Sequence, residues 1–566
     1  MMEIRNVTVR PAGQQKPVLE DVSLRFRAGS MNAVIGPSGC GKTTLVRAAV
    51  GSGALRAQGD FLLNGKKLET RNDRVGKVGY VPQFCVAHPD LTVEESIRYS
   101  LELLDLSGEE IADRLERLLS QTGLLDLRSM LVGRLSGGQL RRMALALELV
   151  ADPSLLFCDE VTAGLDPESE EGILDLIRSL ADTEGKTVVN VIHNLHHLNR
   201  FDWIIVLDAG RKIFEGDYPQ FLEWFCLENP VHLFRMLGES RAEKDWSLKW
   251  KENGDRTGED AEVTPADHAR EETLNRAPSP AGLWQQFYTL LHRRLRLFIR
   301  DRGFLLLTVA ITIGFPLLVV IFALDGIPQL SRLAVDSGLG GLARMEGKIE
   351  FSKEAAEIGS LVSSLILFQI VLLTLTGGNN GAREIAPEAD LFFQESLRGL
   401  RSGAYCFEKL VFTGAIAVVQ GITMTVIVKT VVHFPGSWLI QSTTLVLVAL
   451  ALSWLSLGFS AWMKSGAKAS LLAVYIVGFQ LPLSGVVLAL PDPFMDFVRI
   501  VITTYWAWAS YLGSFRYTST GLYDAAVFVS DEAIPAVGLS LLVLLIQALS
   551  ALILVLAGVS RMKNTR

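Results

Sequence analysis

Cysteine is scarce in this 566-residue chain, and its five thiols (Cys40, Cys85, Cys158, Cys226 and Cys406) are expected in or near the cytosol, where thiols stay reduced, so no disulfide framework is expected. An excess of positive charge is missing too. Fifty-four Lys and Arg face 61 Asp and Glu, a net charge of −7, which gives no global basic footprint for nucleic acid. The opening MMEIRNVTVR has no apolar stretch like that of a secretory leader, so the first domain is expected in the cytosol, with membrane insertion signalled later. Long apolar runs are absent up to about Leu283 and dominate beyond it. They lift the hydrophobic fraction to 49% and the mean hydropathy to +0.30. The expectation is a soluble α/β half followed by a membrane half.

Residues 1–30 alternate apolar and polar in short runs, which predicts a small antiparallel sheet. A buried strand, Met31–Ile35, then runs into GPSGCGKTT: Gly36, Pro37, Ser38, Gly39, Cys40, Gly41, Lys42, Thr43 and Thr44. The following LVRAAVG reads as a helix. Strand, glycine-rich loop and helix form the context in which GxxxxGK[ST] cradles phosphates. The three glycines let backbone N–H groups turn inward at a helix N-terminus, Lys42 would reach the β/γ-phosphates, and the Thr43 hydroxyl would hold Mg²⁺. Cys40 would feel that helix N-terminus and Lys42, both of which lower a thiol pKa. A small residue that simply fits the loop is the plainer reading of Cys40; on the sharper one, alkylation there blocks ATP hydrolysis and ATP protects.

Farther on, SLLFCDE (Ser154–Glu160) is an apolar strand ending in two carboxylates. Beside a phosphate loop, Asp159 is placed to bind Mg²⁺ through water and Glu160 to polarise the attacking water as general base. Between the two motifs, LSGGQLRR opens an apolar helix. Ser136, Gly137, Gly138 and Gln139 offer a second exposed N-terminus suited to anions, although SGG alone is also a plain helix cap.

GPSGCGKTT, VPQ (Val81–Gln83), LSGGQ, LLFCDE, AGLD (Ala163–Asp166) and His193 stand in the order and at the spacing of the ABC ATPase motifs, and residues 2–225 resemble that family. The resemblance implies two cassettes closing head to tail, with each ATP between one P-loop and the partner's Ser136–Gln139. It also implies that Gln83 senses Mg²⁺ and couples to the membrane part, Asp166 lies across the dimer, and His193 contacts the γ-phosphate. Two positions depart from the family pattern. Val161 replaces the usual proline, and no aromatic residue stands where adenine is often stacked, Val9 or Arg10 falling near it. His196 and His197 follow His193 without an acidic or thiol partner, so no metal is expected there.

Residues 238–280 are rich in charge and lack apolar periodicity, which reads as a flexible linker between a nucleotide-binding domain (1–237) and a membrane domain (281–566). LWQQFYTLLHRRLRLFIR is amphipathic and predicts an interfacial helix. Six apolar stretches follow at 303–324, 359–376, 411–432, 438–463, 470–490 and 536–559, each near the roughly 20 residues that cross a bilayer. Basic flanks at both ends place the termini inside. The polar PEADLFFQESLRGLRSGAYCFEK, between the second and third spans, suits a helix docking on the ATPase near Gln83. VRIVITTYWAWASYL predicts a re-entrant or interfacial hairpin, and Pro482 a break in the fifth span.

ATPase-first order, NPVHLF at Asn229–Phe234, the E..LF..E pattern at Glu388–Glu395 and the long last outer loop resemble the G (White and pleiotropic-drug-resistance) subfamily of ABC transporters. That implies an α/β P-loop ABC ATPase followed by an all-α six-helix domain of the ABC-2, type V exporter-like kind. The outer-loop cysteines of eukaryotic members are absent, which points to a bacterial member of the inner or plasma membrane. One cassette and six spans make half a transporter, expected to pair with itself or a related half. It would hydrolyse ATP with Mg²⁺ and export a lipid or other hydrophobic or amphipathic molecule. Phe368, Gln369, Gln480 and Leu481 are candidates to line the substrate cavity, with helix–helix contacts the competing role for the two glutamines. The alternative function is a membrane-anchored ATPase acting as a mechanical switch on a partner.

Overall fold

The computed structural model describes residues 2–240 except 12, 14 and 54, residues 245–253, and residues 278–326 except 325. It also describes 341–530 except 464, 485, 487–490 and 519, and residues 534–565. The chain divides into two compact units. The first comprises residues 1–293 with 390–404 and 563–566, the second residues 294–389 with 405–562.

The strands of the first unit are β1 (Met2–Pro11), β2 (Leu19–Phe26), β3 (Met31–Ile35), β4 (Leu55–Leu63), β5 (Lys66–Lys67), β6 (Val78–Val81), β7 (Leu155–Asp159), β8 (Thr187–Val191), β9 (Trp203–Asp208) and β10 (Arg211–Gly216). Its first five α-helices are α1 (Lys42–Val50), α2 (Val93–Glu102), α3 (Gly108–Gln121), α4 (Gly137–Leu149) and α5 (Pro167–Glu184). The alternating N-terminal runs form a four-stranded sheet in the order β2-β1-β4-β5, every pair antiparallel. The apolar strands form a six-stranded sheet in the order β10-β9-β3-β8-β7-β6, parallel except for β10.

Two-residue periodicity splits the larger sheet between two cores. Met31, Ala33, Ile35, Leu156 and Cys158 face one core, which also takes Met143, Leu145 and Leu147 of α4. Val34, Leu155 and Phe157 face the other, shared with α1 and the antiparallel sheet. There Phe26 and Phe157 meet edge-on at 5.7 Å, a contact that contributes about 0.5–1.5 kcal/mol beyond area burial. Helices α1 and α4 therefore occupy opposite faces of one sheet.

Within the stretch expected to be a linker, Trp246–Asn253 forms a helix with Trp246 and Trp250 buried four residues apart on one helical face. Trp250 stacks edge-on against Phe214 of β10 at 5.5 Å. Residues 254–277, the bulk of that linker, lie outside the described residues. The chain re-enters with Ser279 accepting from Asp105 N (2.8 Å) and Ala281 donating to Leu103 O (3.0 Å). Helix Ala389–Leu397, expected to dock on the ATPase, lies almost wholly in this first unit. Arg71 binds it through the Phe393 carbonyl (3.0 Å) and the Ser396 hydroxyl (2.8 Å), and Gln286 donates to the carbonyl of Gly399 (3.1 Å).

The second unit is helical. Among the described residues, five helices are long and apolar enough to cross a membrane, starting at Arg302, Ile349, Ser402, Trp438 and Val537. The fifth expected span is represented by a shorter helix, Gly466–Gln480, which ends before Pro482; at 1.5 Å per residue its 15 residues reach only about 22 Å. Part of that expected span (485 and 487–490) lies outside the described residues. Helices Gly341–Ala382 and Trp438–Trp462 pack closely because Gly377 and Gly381 present no side chain to the facing backbone; a Cβ at Gly381 would stand 2.1 Å from Ser453 O. The aromatic segment expected as an interfacial hairpin is two helices, Asp492–Val501 and Thr503–Gly513, broken at Ile502. Nearly all of the second is buried.

Candidate functional site

In open parallel sheets, ligands gather at the carboxyl ends of the strands. Here four such ends coincide. Val81 pairs with Cys158, Asp159 pairs with Val191, and Val34 pairs with Val191. The residues that follow β6, β3 and β8, with the end of β7, are Gln83, the loop Gly36–Thr44, His193 and the Asp159–Glu160 pair.

The phosphate loop leads into α1 without a side-chain cap, Gly41 being left-handed at φ 107°. The first N–H groups of α1 are therefore left for an anion. Lys42 is buried, and its ammonium donates to the carbonyls of Gly36 (2.8 Å) and Pro37 (3.1 Å). A Cβ on Gly36 would stand 2.1 Å from Leu207 O, so the loop requires glycine there. Ser38 and Gly39 are exposed, while Thr43 and Thr44 are half-buried.

The carboxylates are held by four neighbours. Asp159 accepts from the Thr43 hydroxyl (3.1 Å) and from the Tyr80 hydroxyl (3.3 Å). Burial raises its carboxyl pKa, an effect the Thr43 hydrogen bond opposes. Burial also pushes the Tyr80 phenol up to about 12, which keeps it a donor. Glu160 sits at φ 54°, an uncommon backbone conformation of the sort found at functional sites. Its Oε1 lies 2.6 Å from His193 Nε2, and its Oε2 accepts from Gln83 Nε2 at 3.1 Å. One carboxylate thus bridges the residues after β6 and β8.

A divalent cation fits the oxygens present. The Thr43 hydroxyl, the Gln83 amide oxygen and the Asp159 carboxylate are hard donors of the type that holds Mg²⁺ alongside phosphate oxygens and water. Among the described residues no three His, Cys, Asp or Glu side chains cluster, so the ion would depend on the nucleotide to complete its shell.

Ser136 and Asp166 serve first as helix caps. Ser136 closes a capping box with Gln139 at the start of α4, its N–H donating to Gln139 Oε1 at 2.9 Å. Asp166 accepts from Ser169 N at 2.9 Å, and that hydrogen bond holds its carboxyl below the usual carboxylate range. The starts of α4 and α5 touch, since a Cβ on Gly138 would stand 2.9 Å from Ser169 Oγ. Ser136 and Gly137 are exposed. Among the described residues, no hydrogen bond or ion pair joins Ser136, Gly137, Gly138, Gln139 or Asp166 to Gly36–Thr44.

Cys40 corrects an expectation. Its Sγ is 3.9 Å from Lys42 Nζ, yet burial outweighs the lysine and the pKa is raised, not lowered. The thiol is only 4% exposed. Cys40 should therefore alkylate far more slowly than the exposed Cys226. Timed iodoacetamide labelling with peptide mass mapping checks this, and comparable rates at the two sites would refute it. Val9 is buried in the core and cannot stack on a base, whereas Arg10 lies at the surface edge with its guanidinium donating to Gln58 (3.2 Å).

In the helical unit, the amides of Gln369 and Gln480 are engaged internally. Gln369 accepts from the Tyr511 hydroxyl at 3.4 Å, and Gln480 Oε1 accepts from Thr503 N, Thr504 N and Thr504 Oγ1 at 3.1–3.3 Å. Phe368, edge-on to Phe322 at 5.4 Å, and Leu481 remain partly exposed. Sequence reasoning missed Tyr80, whose position three residues before Gln83 was the available signal.

Residues 19–163 match the ABC transporter family, and residues 285–527 match the ABC-2 type transporter family. An ABC transporter ATP-binding/permease protein of Mycobacterium tuberculosis is 30% identical over 500 residues, covering 86% of this chain and 54% of that protein. The Nod factor export ATP-binding protein I of Cupriavidus metallidurans is 35% identical over 225 residues, covering 39% of this chain and 73% of that protein. ABC transporter G family member 9 of Dictyostelium discoideum is 32% identical over 327 residues, covering 51% of this chain and 22% of that protein. The chain spans about half the length of the first of these and about a fifth of the third. The matched families, their order along the chain and the phosphate loop beside Asp159 and Glu160 agree: the chain belongs to the ABC transporter family, with its ATP-binding domain ahead of an ABC-2 type membrane domain.

Proposed function

We propose that this chain is half of an ATP-driven exporter that pairs with a second copy or a related half and moves a hydrophobic or amphipathic molecule across a bacterial inner membrane. The observation that carries this reading is Glu160, bridged between Gln83 and His193 beside Asp159 and Thr43. ATP phosphates would meet the uncapped N–H groups of α1, where the Lys42 ammonium exchanges the Gly36 and Pro37 carbonyls for phosphate oxygens. Bound Mg²⁺, held by Thr43, Asp159 and Gln83, supplies charge neutralisation at the phosphates. Glu160 orients the attacking water and accepts its proton, while His193 and Gln83 fix both carboxylate oxygens in place.

Pairing is supported by the position of Ser136–Gln139 on α4, across the sheet from α1. A head-to-tail second copy would bring its own Ser136–Gln139 segment to the nucleotide. Membrane placement is supported by helix Leu283–Arg300, where Trp284, Tyr288, Leu295 and Ile299 expose an apolar stripe. An apolar cargo is supported by helix Gly466–Gln480, which exposes Leu471, Val474, Tyr475 and Phe479. Purified protein in liposomes loaded with candidate lipids and amphipathic dyes provides the test. Vectorial, ATP-dependent flux that disappears in Glu160→Gln supports an exporter, and downhill flux persisting in that variant defeats it.

A further inference from the structure

Helix Ala389–Leu397 lies almost wholly in the ATP-binding unit, although the chain runs from it into apolar helices on both sides. Its attachment is polar and buried. Arg398, the residue after the helix, is 6% exposed at its side chain and Glu148 is 2% exposed. Arg398 Nη2 donates to Glu148 Oε1 at 2.7 Å, and its Nε donates to the same oxygen at 3.3 Å. The other oxygen of Glu148 accepts the backbone N–H of Tyr80 at 3.3 Å. Tyr80 in turn donates its hydroxyl to Asp159 at 3.3 Å. A continuous series of hydrogen bonds thus runs from the Asp159 carboxylate, through both ends of Tyr80, to Glu148 and Arg398.

The same ion pair closes a second mechanical connection. Glu148 lies in the last turn of α4, the helix whose first turn begins after Ser136. A displacement at Ser136 is carried along one rigid helix to Glu148, while a change at Asp159 arrives through Tyr80. A buried ion pair is a poor source of net stability but fixes a single geometry, because either charge left alone is costly. Arg398 suits that role, its planar fork addressing one oxygen with two donors.

We propose that Tyr80, Glu148 and Arg398 are positioning residues that transmit the state of the nucleotide site to helix Ala389–Leu397, in addition to Gln83. The proposal rests on the ATP-driven transport reading, and its test separates the two. Hydrogen–deuterium exchange on the full-length protein in nanodiscs, with and without Mg²⁺ and ADP, is followed at residues 389–398, beside ATP hydrolysis and flux. Wild-type protein should gain protection there when Mg²⁺ and ADP are added. Glu148→Gln should shrink that response, and the flux per ATP hydrolysed, by about tenfold, while ATP hydrolysis itself falls far less. The double variant Glu148→Gln, Arg398→Met leaves no unpaired charge and should lose the response equally, which keeps the test readable if a single variant misfolds. Tyr80→Phe should raise the Mg²⁺ concentration needed for half-maximal hydrolysis. An unchanged response in the folded double variant overturns the proposal, as does a wild-type protein with no response. A merely structural pair would lower hydrolysis and flux in parallel, which also overturns it. Wild-type protection that the variants lose, without any flux, defeats the transport reading but upholds these positioning roles.

Discussion

Glu160→Gln should abolish steady-state ATP hydrolysis, lowering it by on the order of 10²–10⁴-fold, the usual contribution of a positioned acid–base group. Glutamine keeps the length and planarity of the side chain, so one oxygen can still meet a donor at His193 or Gln83. What it loses is the ability to accept a proton from water. Nucleotide affinity should survive, because the phosphate-binding groups belong to Gly36–Thr44 and Lys42. Phosphate release measured beside equilibrium binding of labelled ATP separates the two properties. Residual hydrolysis above about a tenth of wild type would move the base function to another group, with His193 the first to examine.

Gly381→Val should be the most damaging single substitution in the helical unit. A Cβ there would stand 2.1 Å from Ser453 O and 2.6 Å from Leu457 N, both backbone atoms that cannot rotate away. Helices Gly341–Ala382 and Trp438–Trp462 would have to separate along their buried contact. Overpacking of this kind costs about 1–3 kcal/mol or more. Gly414→Ala is the matched control, since its Cβ would meet only side-chain atoms at 3.4–3.6 Å. Thermal unfolding in detergent, followed by tryptophan fluorescence, should show a large fall in midpoint for Gly381→Val and almost none for Gly414→Ala. Equal midpoints would disprove the account of this helix pair.

The ATP-binding half was legible because its chemistry is local. A strand, a glycine loop and a helix lie within about twenty residues, and Met31–Ile35 and Leu155–Asp159 read as strands from their apolar runs alone. Contacts between distant segments were not legible. Glu148 and Arg398 are 250 positions apart, and nothing in either neighbourhood signals that one neutralises the other. Trp246 and Trp250 carried a helical spacing, but the charged surroundings concealed it. In the membrane half, hydropathy registers total apolar length and not where a helix ends. Thus 470–490 looked long enough to span, whereas the helix stops at Gln480, whose amide then anchors the start of Thr503–Gly513. The fate of a polar side chain in such a helix depends on its neighbour, which a single sequence does not name.

The left-handed backbone at Glu160 has a consequence for mutational tolerance. At φ 54° a side chain branched at Cβ is crowded by its own peptide oxygen, whereas glycine and asparagine adopt that region at little cost. Two selections applied to a library at this one codon should therefore disagree. Sorting for hydrolysis should return glutamate almost alone. Sorting for folded, nucleotide-binding protein should enrich glycine, asparagine and aspartate and deplete valine, isoleucine and threonine. The chemistry and the chain geometry would then be read out separately from a single position.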